Sequence, residues 1–170
     1  MSHKNRKEAD MDSILEILEK DARTSPEQIS KMLKKNVGEV KKAIQKYEKE
    51  KVILRYKTVL NKELLRNNSE VRALIEVKVT PQRDVGFDAL AQRIYNFPEV
   101  KSCYLMSGGY DLLVTVEGKD LQTVASFVSE KLATLENVHG TVTHFLLKKY
   151  KEDGDILQTQ ESDKRIAISF

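Results

Sequence analysis

Apolar positions along this chain follow two different periods, and the switch between them divides it. In the first sixty residues they recur every three or four: Met11, Ile14, Leu15 and Leu18, then Ile29, Met32 and Leu33, then Val40, Ala43, Ile44 and Tyr47. Each set is the buried stripe of an amphipathic helix. The breaks between the sets carry start signals. Ser25-Pro26-Glu27-Gln28 supplies a capping serine, a proline for the first helical position and a glutamine where a capping box needs one. Asn36, with Glu39 three residues on, repeats the cap-and-box pattern and predicts a third helix over about residues 37–50. Val52 to Leu60 alternates and is rich in β-branched residues, which predicts a following strand.

Further on the period becomes two. Val71, Ala73, Ile75, Val77 and Val79 alternate with Arg72, Glu76 and Lys78, as in a half-buried strand that Pro81 ends. Phe87, Leu90, Ala91 and Ile94 mark a helix stopped by Pro98, and Val100 to Met106 a second strand. Gly108-Gly109 turns the chain into a third strand from Tyr110 to Val116. Asp120 caps a helix carrying Leu121, Val124, Val128, Leu132 and Leu135, and Val138 to Leu147 is the fourth strand. The fold class is therefore α+β. A helix-turn-helix unit over 1–60 and a polar linker over 61–70 precede a ferredoxin-like βαββαβ domain over 71–150. Residues 151–170 form a C-terminal extension, with Asp153-Gly154-Asp155 turn-like and Arg165 to Phe170 a possible last strand. Both helices of the βαββαβ domain cover one face of its sheet. Leu74, Cys103, Leu105, Leu113 and Phe145 are expected on the other, where a second copy would cover them.

Charge sharpens this division. Met1 to Lys62 holds 16 basic and 10 acidic side chains, a balance of +6, whereas the remainder holds 13 and 16, a balance of −3. Only the front half is suited to a polyanion. On the third helix Lys41, Lys42, Gln45, Lys46 and Lys49 fall off the apolar stripe. Lysines there would neutralise phosphates, while Gln45 has the amide that pairs with an adenine edge. Lys35 and Asn36 at the helix start complete the candidate contacts to double-stranded DNA, and Lys4, Arg6 and Lys7 could add phosphate contacts from an N-terminal arm. A plain solvated helix face explains the lysines equally well on charge alone.

Catalytic signals are missing. His139 and His144 are five apart on a strand, with no second cysteine or carboxylate cluster to complete a metal site. Cys103 has no histidine base near it in sequence, and Gly108-Gly109 opens a strand, not the helix a dinucleotide fingerprint requires. No enzyme, metal or cofactor is expected. One cysteine and the lack of an apolar leader point to a reducing cytoplasm, and no apolar run of about 20 residues predicts a membrane span. Asp111 reads on spacing either as a turn residue or as an anion beside a side-chain-free turn.

Taken in order, Asp12-Ser13-Ile14-Leu15-Glu16-Ile17-Leu18-Glu19-Lys20-Asp21-Ala22-Arg23, Val52-Ile53, Ser107-Gly108-Gly109-Tyr110-Asp111 and Thr141-Val142-Thr143 resemble the Lrp/AsnC (feast/famine) transcriptional regulators. The resemblance covers about residues 10–150. It implies a winged or plain helix-turn-helix that binds DNA, and a regulatory domain that senses a free amino acid and assembles into dimers and octamers. It also implies an effector site from Ser107, Gly108, Gly109, Tyr110, Asp111, Thr141 and Thr143. The chain departs from the family at Lys34 and Lys35, where a glycine and an apolar residue are common, at Asn36 for serine, at Ala43 for arginine and at Lys51 for glycine. Two rival readings remain: a sensing or scaffold protein whose helix-turn-helix no longer binds DNA, and an ACT-like regulatory subunit of an enzyme.

Overall fold

The computed structural model describes residues 13–65, 70–80 and 86–157. The chain divides at Leu60/Asn61 into two compact units.

In the first unit, α1 is helical over residues 13–20, α2 spans Pro26–Leu33 and α3 spans Val37–Lys49. The α2 cap forms the expected box, whereas at α3 only the Asn36 half forms and the Glu39 side chain makes no bond back to the Asn36 N–H. Ser25 accepts from the Gln28 N–H while the Gln28 side chain takes the Ser25 N–H, with Pro26 in the first turn. Asn36 caps α3 through the Gly38 N–H at 2.7 Å. A Cβ on Gly38 would lie 3.1 Å from the Asn36 cap oxygen, so the absent side chain leaves room for that bond. Ile14, Leu18, Ile29, Val40 and Tyr47 form the core, with Leu15, Ile17, Leu33, Ala43, Ile44 and Ile53 packed around it. Met11 and the N-terminal arm lie outside the described residues.

Two expectations fail here. Met32 is 62% exposed, and Ser30 takes the buried place instead, its hydroxyl donating to the Lys35 carbonyl at 2.6 Å. A buried hydroxyl with a partner costs little, and this one ties α2 to the turn after it. The segment 52–60 forms no strand. After α3 the chain reverses at Lys51, φ 61°, and the N–H groups of Val52 and Ile53 both bond to the Tyr47 carbonyl. Only Ile53 tucks in; Val52, Leu54, Val59 and Leu60 face outward. Alternation supplies a face, but a strand also needs a ladder partner, and the described residues offer none.

The second unit holds a four-stranded antiparallel sheet in the order β2-β3-β1-β4, from β1 Val71–Val79, β2 Val100–Leu105, β3 Leu112–Gly118 and β4 Val138–Phe145. Two helices cover one face: α4 Asp88–Tyr95, and α5 Leu121–Ser126, which runs on into a π-helical turn over Phe127–Leu132. Pro81 lies outside the described residues. Ala73, Ile75 and Val77 of β1 and Leu112, Val114 and Val116 of β3 are essentially inaccessible beneath Leu90, Ile94, Val124, Phe127 and Leu132. Asp120 caps α5 as expected. The π turn, seen in the Ala133 N–H to Val128 carbonyl bond, shifts the stripe after Phe127. At the start of the helix Leu121 is 57% exposed, while Val124 and Phe127, three apart, are buried, Phe127 edge-on to Phe97 with ring centroids 5.5 Å apart.

Both edge strands carry a bulge. The β2–β3 register shifts between Val100 and Ser102, and the β1–β4 register shifts between Lys78 and Val79. A bulge reverses the parity of every residue after it. Cys103, Leu105 and Phe145 were expected on the uncovered face. They stand instead in rows with Val114, Leu112 and Ala73, on the helix-covered side. The uncovered face is built from the rows Tyr104–Leu113–Glu76–Val142 and Ser102–Thr115–Leu74–His144, with Arg72 paired to Glu117 at one end. Leu74 and Leu113 are where the sequence put them. The rest of the face is more polar than expected.

After β4 a small hairpin follows, β5 Lys151–Glu152 and β6 Asp155–Ile156. Asp153 (φ 49°) and Gly154 (φ 95°) make the two-residue turn that pairs naturally with twisted strands. The expected strand over 165–170 lies outside the described residues.

Candidate functional site

The turn between α2 and α3 is Lys34-Lys35-Asn36. Lys34 sits in the left-handed region, φ 53° and ψ 42°, the backbone state for which glycine is the usual residue. With Val40 and Tyr47 buried, helical geometry turns Gly38, Lys42, Gln45 and Lys49 to the opposite side of α3, flanked by Lys41 and Lys46. All of these are exposed. Lys41 meets Glu27 of α2 at 2.7 Å and draws that carboxyl below its usual range; Lys46 lies 3.9 Å from Glu50. Lys42 and Lys49 make no ion pair among the described residues. Asn36 spends its side-chain oxygen on the helix N-terminus, so its first role is the cap. Glu39 lies in the first turn, where it complements the helix dipole. Lys35 donates its backbone N–H to the Ser30 carbonyl.

The second candidate site is the β2–β3 connection. Ser107, Gly108 and Gly109 are exposed, while Tyr110 and Asp111 are half-buried. Gly108 has φ 154° and open space where a Cβ would stand, so its backbone can be approached closely. Asp111 is tied into the sheet. Its N–H donates to the Val77 carbonyl, its carbonyl accepts from Met106, and its Oδ2 accepts from the Val79 N–H at 2.8 Å. The carboxylate thus caps the end of β1 and keeps Oδ1 for another donor. No local signal reveals this clamp, since Val79 is 32 residues away.

Thr141 and Thr143 do share a face, as two-residue spacing requires, and both are half-buried. From β4 they pair with Val77 and Ile75 of β1, on the far side of β1 from Asp111. Two strand spacings, about 10 Å, therefore separate them from the glycine turn within one chain. Ser107 to Asp111 form one local group, and the threonines a second. A shallow depression beside α4 is lined by Val79, Phe87, Leu90, Arg93 and Glu136, and by none of these candidate residues.

Among the described residues no group of three metal-ligating side chains occurs. His144 lies 3.1 Å from Glu76 on the uncovered face, and His139 contacts Thr80. Cys103 is half-buried, and burial pushes its thiol up, away from the thiolate a nucleophile needs. No helix among the described residues is long and apolar enough to cross a membrane.

Residues 72–156 match the family description "Lrp/AsnC ligand binding domain", and residues 13–53 match "winged helix-turn-helix DNA-binding". The HTH-type transcriptional regulator YugG of Bacillus subtilis is 52% identical over 156 residues, covering 92% of this chain and 94% of that protein. LysM of Saccharolobus solfataricus, also an HTH-type transcriptional regulator, is 31% identical over 150 residues, covering 88% of this chain and 99% of its own. Among solved structures, AsnC of E. coli superposes with a TM-score of 0.66 at 19% identity, covering 88% of this chain and 96% of its own. A transcriptional regulator of Neisseria meningitidis in complex with L-Met superposes with a TM-score of 0.66 at 22% identity, covering 84% of this chain and 90% of its own. At those identities the two structures share the fold.

Proposed function

This chain belongs to the Lrp/AsnC family of transcriptional regulators, and from that premise we propose that it reads specific double-stranded DNA through α3 and responds to a free amino acid bound by its second unit. It is a regulator with a helix-turn-helix and a ligand-binding domain, not an enzyme. The observation that carries the DNA reading is the outward face of α3. Lys42, Gln45 and Lys49 stand together opposite the buried Val40 and Tyr47, on a helix whose entry is fixed by the Asn36 cap.

Binding to the protein's own upstream DNA, followed by fluorescence anisotropy across a salt series, tests this. Lys42→Ala should weaken binding to all sequences and flatten the log–log salt slope by about one unit. Lys41→Ala should change it less, because Glu27 already compensates that charge. Gln45→Ala should instead relax preference at particular base pairs by about 1–3 kcal/mol. Salt-independent affinity, or none at low salt, would leave the protein a sensor without an operator.

For the effector we infer that Asp111 takes the ammonium and that backbone N–H groups near Gly108 and Gly109 take the carboxylate. Thr141 and Thr143, two strands away, would join such a site only from another copy of the chain. The crystallised L-Met complex of the Neisseria regulator supports an amino acid as the ligand class. The reading needs no metal or cofactor and places the protein with DNA in the cytoplasm. It assembles at least as a dimer through the sheet face bearing Tyr104, Leu113, Leu74 and Val142, with octamers a further step.

A further inference from the structure

A helix with its side chains is about 10–12 Å across and the major groove about 12 Å wide, so a helix lying in the groove brings its flanks against the sugar–phosphate walls. One flank of α3 carries Lys41 and Glu48, seven residues and so two turns apart. By themselves these suit a phosphate wall poorly. Glu27 of α2 already pairs with Lys41 at 2.7 Å, and Glu48 has no cation beside it among the described residues. The chain after α3 docks on this same flank. Lys51, at φ 61°, turns it out of the helix, the Val52 and Ile53 N–H groups bond to the Tyr47 carbonyl, and Ile53 packs on the first core. Tyr56 then reaches back and donates its hydroxyl to a Glu48 carboxylate oxygen at 2.9 Å. Burial, with Glu48 beside it, pushes that hydroxyl up, so it keeps its proton to donate. Next to Tyr56 on either side along the chain stand Arg55 and Lys57, both exposed and without an ion pair among the described residues. Glu27, Lys41 and Glu48 alone leave the flank at −1, and Arg55 with Lys57 brings it to +1.

We propose that Arg55 and Lys57 form a second DNA-contacting element, binding backbone phosphates on the groove wall beside the Glu48 flank of α3, and that Tyr56 is the positioning residue that holds them there. The proposal rests on the DNA reading above and extends it past the matched residues 13–53, into a stretch that forms no strand and hence no wing hairpin. Phosphate contacts carry no sequence information. The segment therefore sets how firmly and in what orientation the unit docks, while α3 reads the bases. It also explains how a flank bearing Glu48 can face a polyanion: the carboxylate is occupied by the Tyr56 hydroxyl, and the cations next to that tyrosine outweigh its charge.

Anisotropy of the full-length protein on its own upstream DNA across a salt series, joined to phosphate-ethylation interference, tests this. Arg55→Ala and Lys57→Ala should each flatten the log–log salt slope by about one unit and leave preference among base pairs unchanged. Each should also erase interference at particular phosphates, different from those lost in Lys42→Ala; a mere change in net charge would erase none. Tyr56→Phe keeps the ring and both cations, yet should weaken binding several-fold on all sequences and fade interference at the Arg55 and Lys57 phosphates, with the far-ultraviolet circular dichroism of wild type. Glu48→Gln keeps an acceptor for Tyr56 and removes the anion, so it should bind at least as tightly as wild type. Unchanged slopes and interference in both Arg55→Ala and Lys57→Ala, beside a flattened slope in Lys42→Ala, overturn the proposal and leave the DNA reading standing. Full affinity in Tyr56→Phe overturns its positioning role. A wild type that binds no DNA at low salt overturns both readings together.

Discussion

Asp111 is asked to do two things, and a pair of substitutions separates them. Its Oδ2 accepts the Val79 N–H at 2.8 Å, a bond from a carboxylate to a residue only 7% exposed at the end of the central strand. Hydrogen bonds to charged groups contribute about 1.5–3 kcal/mol, and water at the strand end recovers part of that. Asp111→Ala should then cost about 1.5–2 kcal/mol. For a unit of this size that lowers Tm by roughly 8 °C or more. Asp111→Asn keeps an amide oxygen for Val79 and should cost under about 1 kcal/mol. It removes the negative charge that the proposed amino-acid ammonium would meet, so ligand affinity should fall by about tenfold or more. Thermal unfolding followed by circular dichroism gives the first quantity, and calorimetry with the twenty amino acids gives the second. Unchanged ligand affinity in Asp111→Asn would retire Asp111 as the ammonium acceptor. Full thermal stability in Asp111→Ala would refute the strand-end clamp.

Lys34 and Lys51 occupy left-handed backbone at φ 53° and φ 61°. That conformation costs a side chain about 1–2 kcal/mol, and glycine's freer unfolded chain returns about half. Lys34→Gly should therefore stabilise the first unit by about 0.5–1 kcal/mol in urea unfolding, whereas Lys34→Ala, which removes the same charge, should not; equal effects would refute the strain argument. Stability of the second unit should also fall in acid. Lys131 holds the Glu99 carboxyl, and Lys149 with Arg72 holds the Glu152 carboxyl, below the ordinary glutamate value of 4.5. Groups lowered on folding add stability above that value and lose it as pH falls through their folded values. A urea midpoint that stays level as pH passes down through 4.5 would contradict this.

Local signals in the sequence determined the elements. Ser25-Pro26 and Asp120 start their helices because a cap needs only its own first turn, and Val71 to Val79 is a strand because alternation is written within it. The element order then led to the α+β class, and the outward face of α3 followed from Val40 and Tyr47 by helical period alone. Tertiary structure decided what depends on a partner far along the chain. Bulges at Val100/Ser102 and Lys78/Val79 reversed the facing of Cys103, Leu105 and Phe145, and a bulge exists only relative to the strand opposite. Leu121 at the helix start stays exposed while Phe127 is buried against Phe97, because what lies opposite each position, not the period alone, chose the buried side. Residues 52–60 alternate like a strand yet form no ladder, since a ladder takes two strands and the described residues offer no second one. The Asp111–Val79 and Asn61–Leu157 bonds join residues 32 and 96 positions apart, and no short-range pattern encodes such meetings. Periodicity reports what a segment can bury, whereas register and contact are settled only when the rest of the fold closes over it.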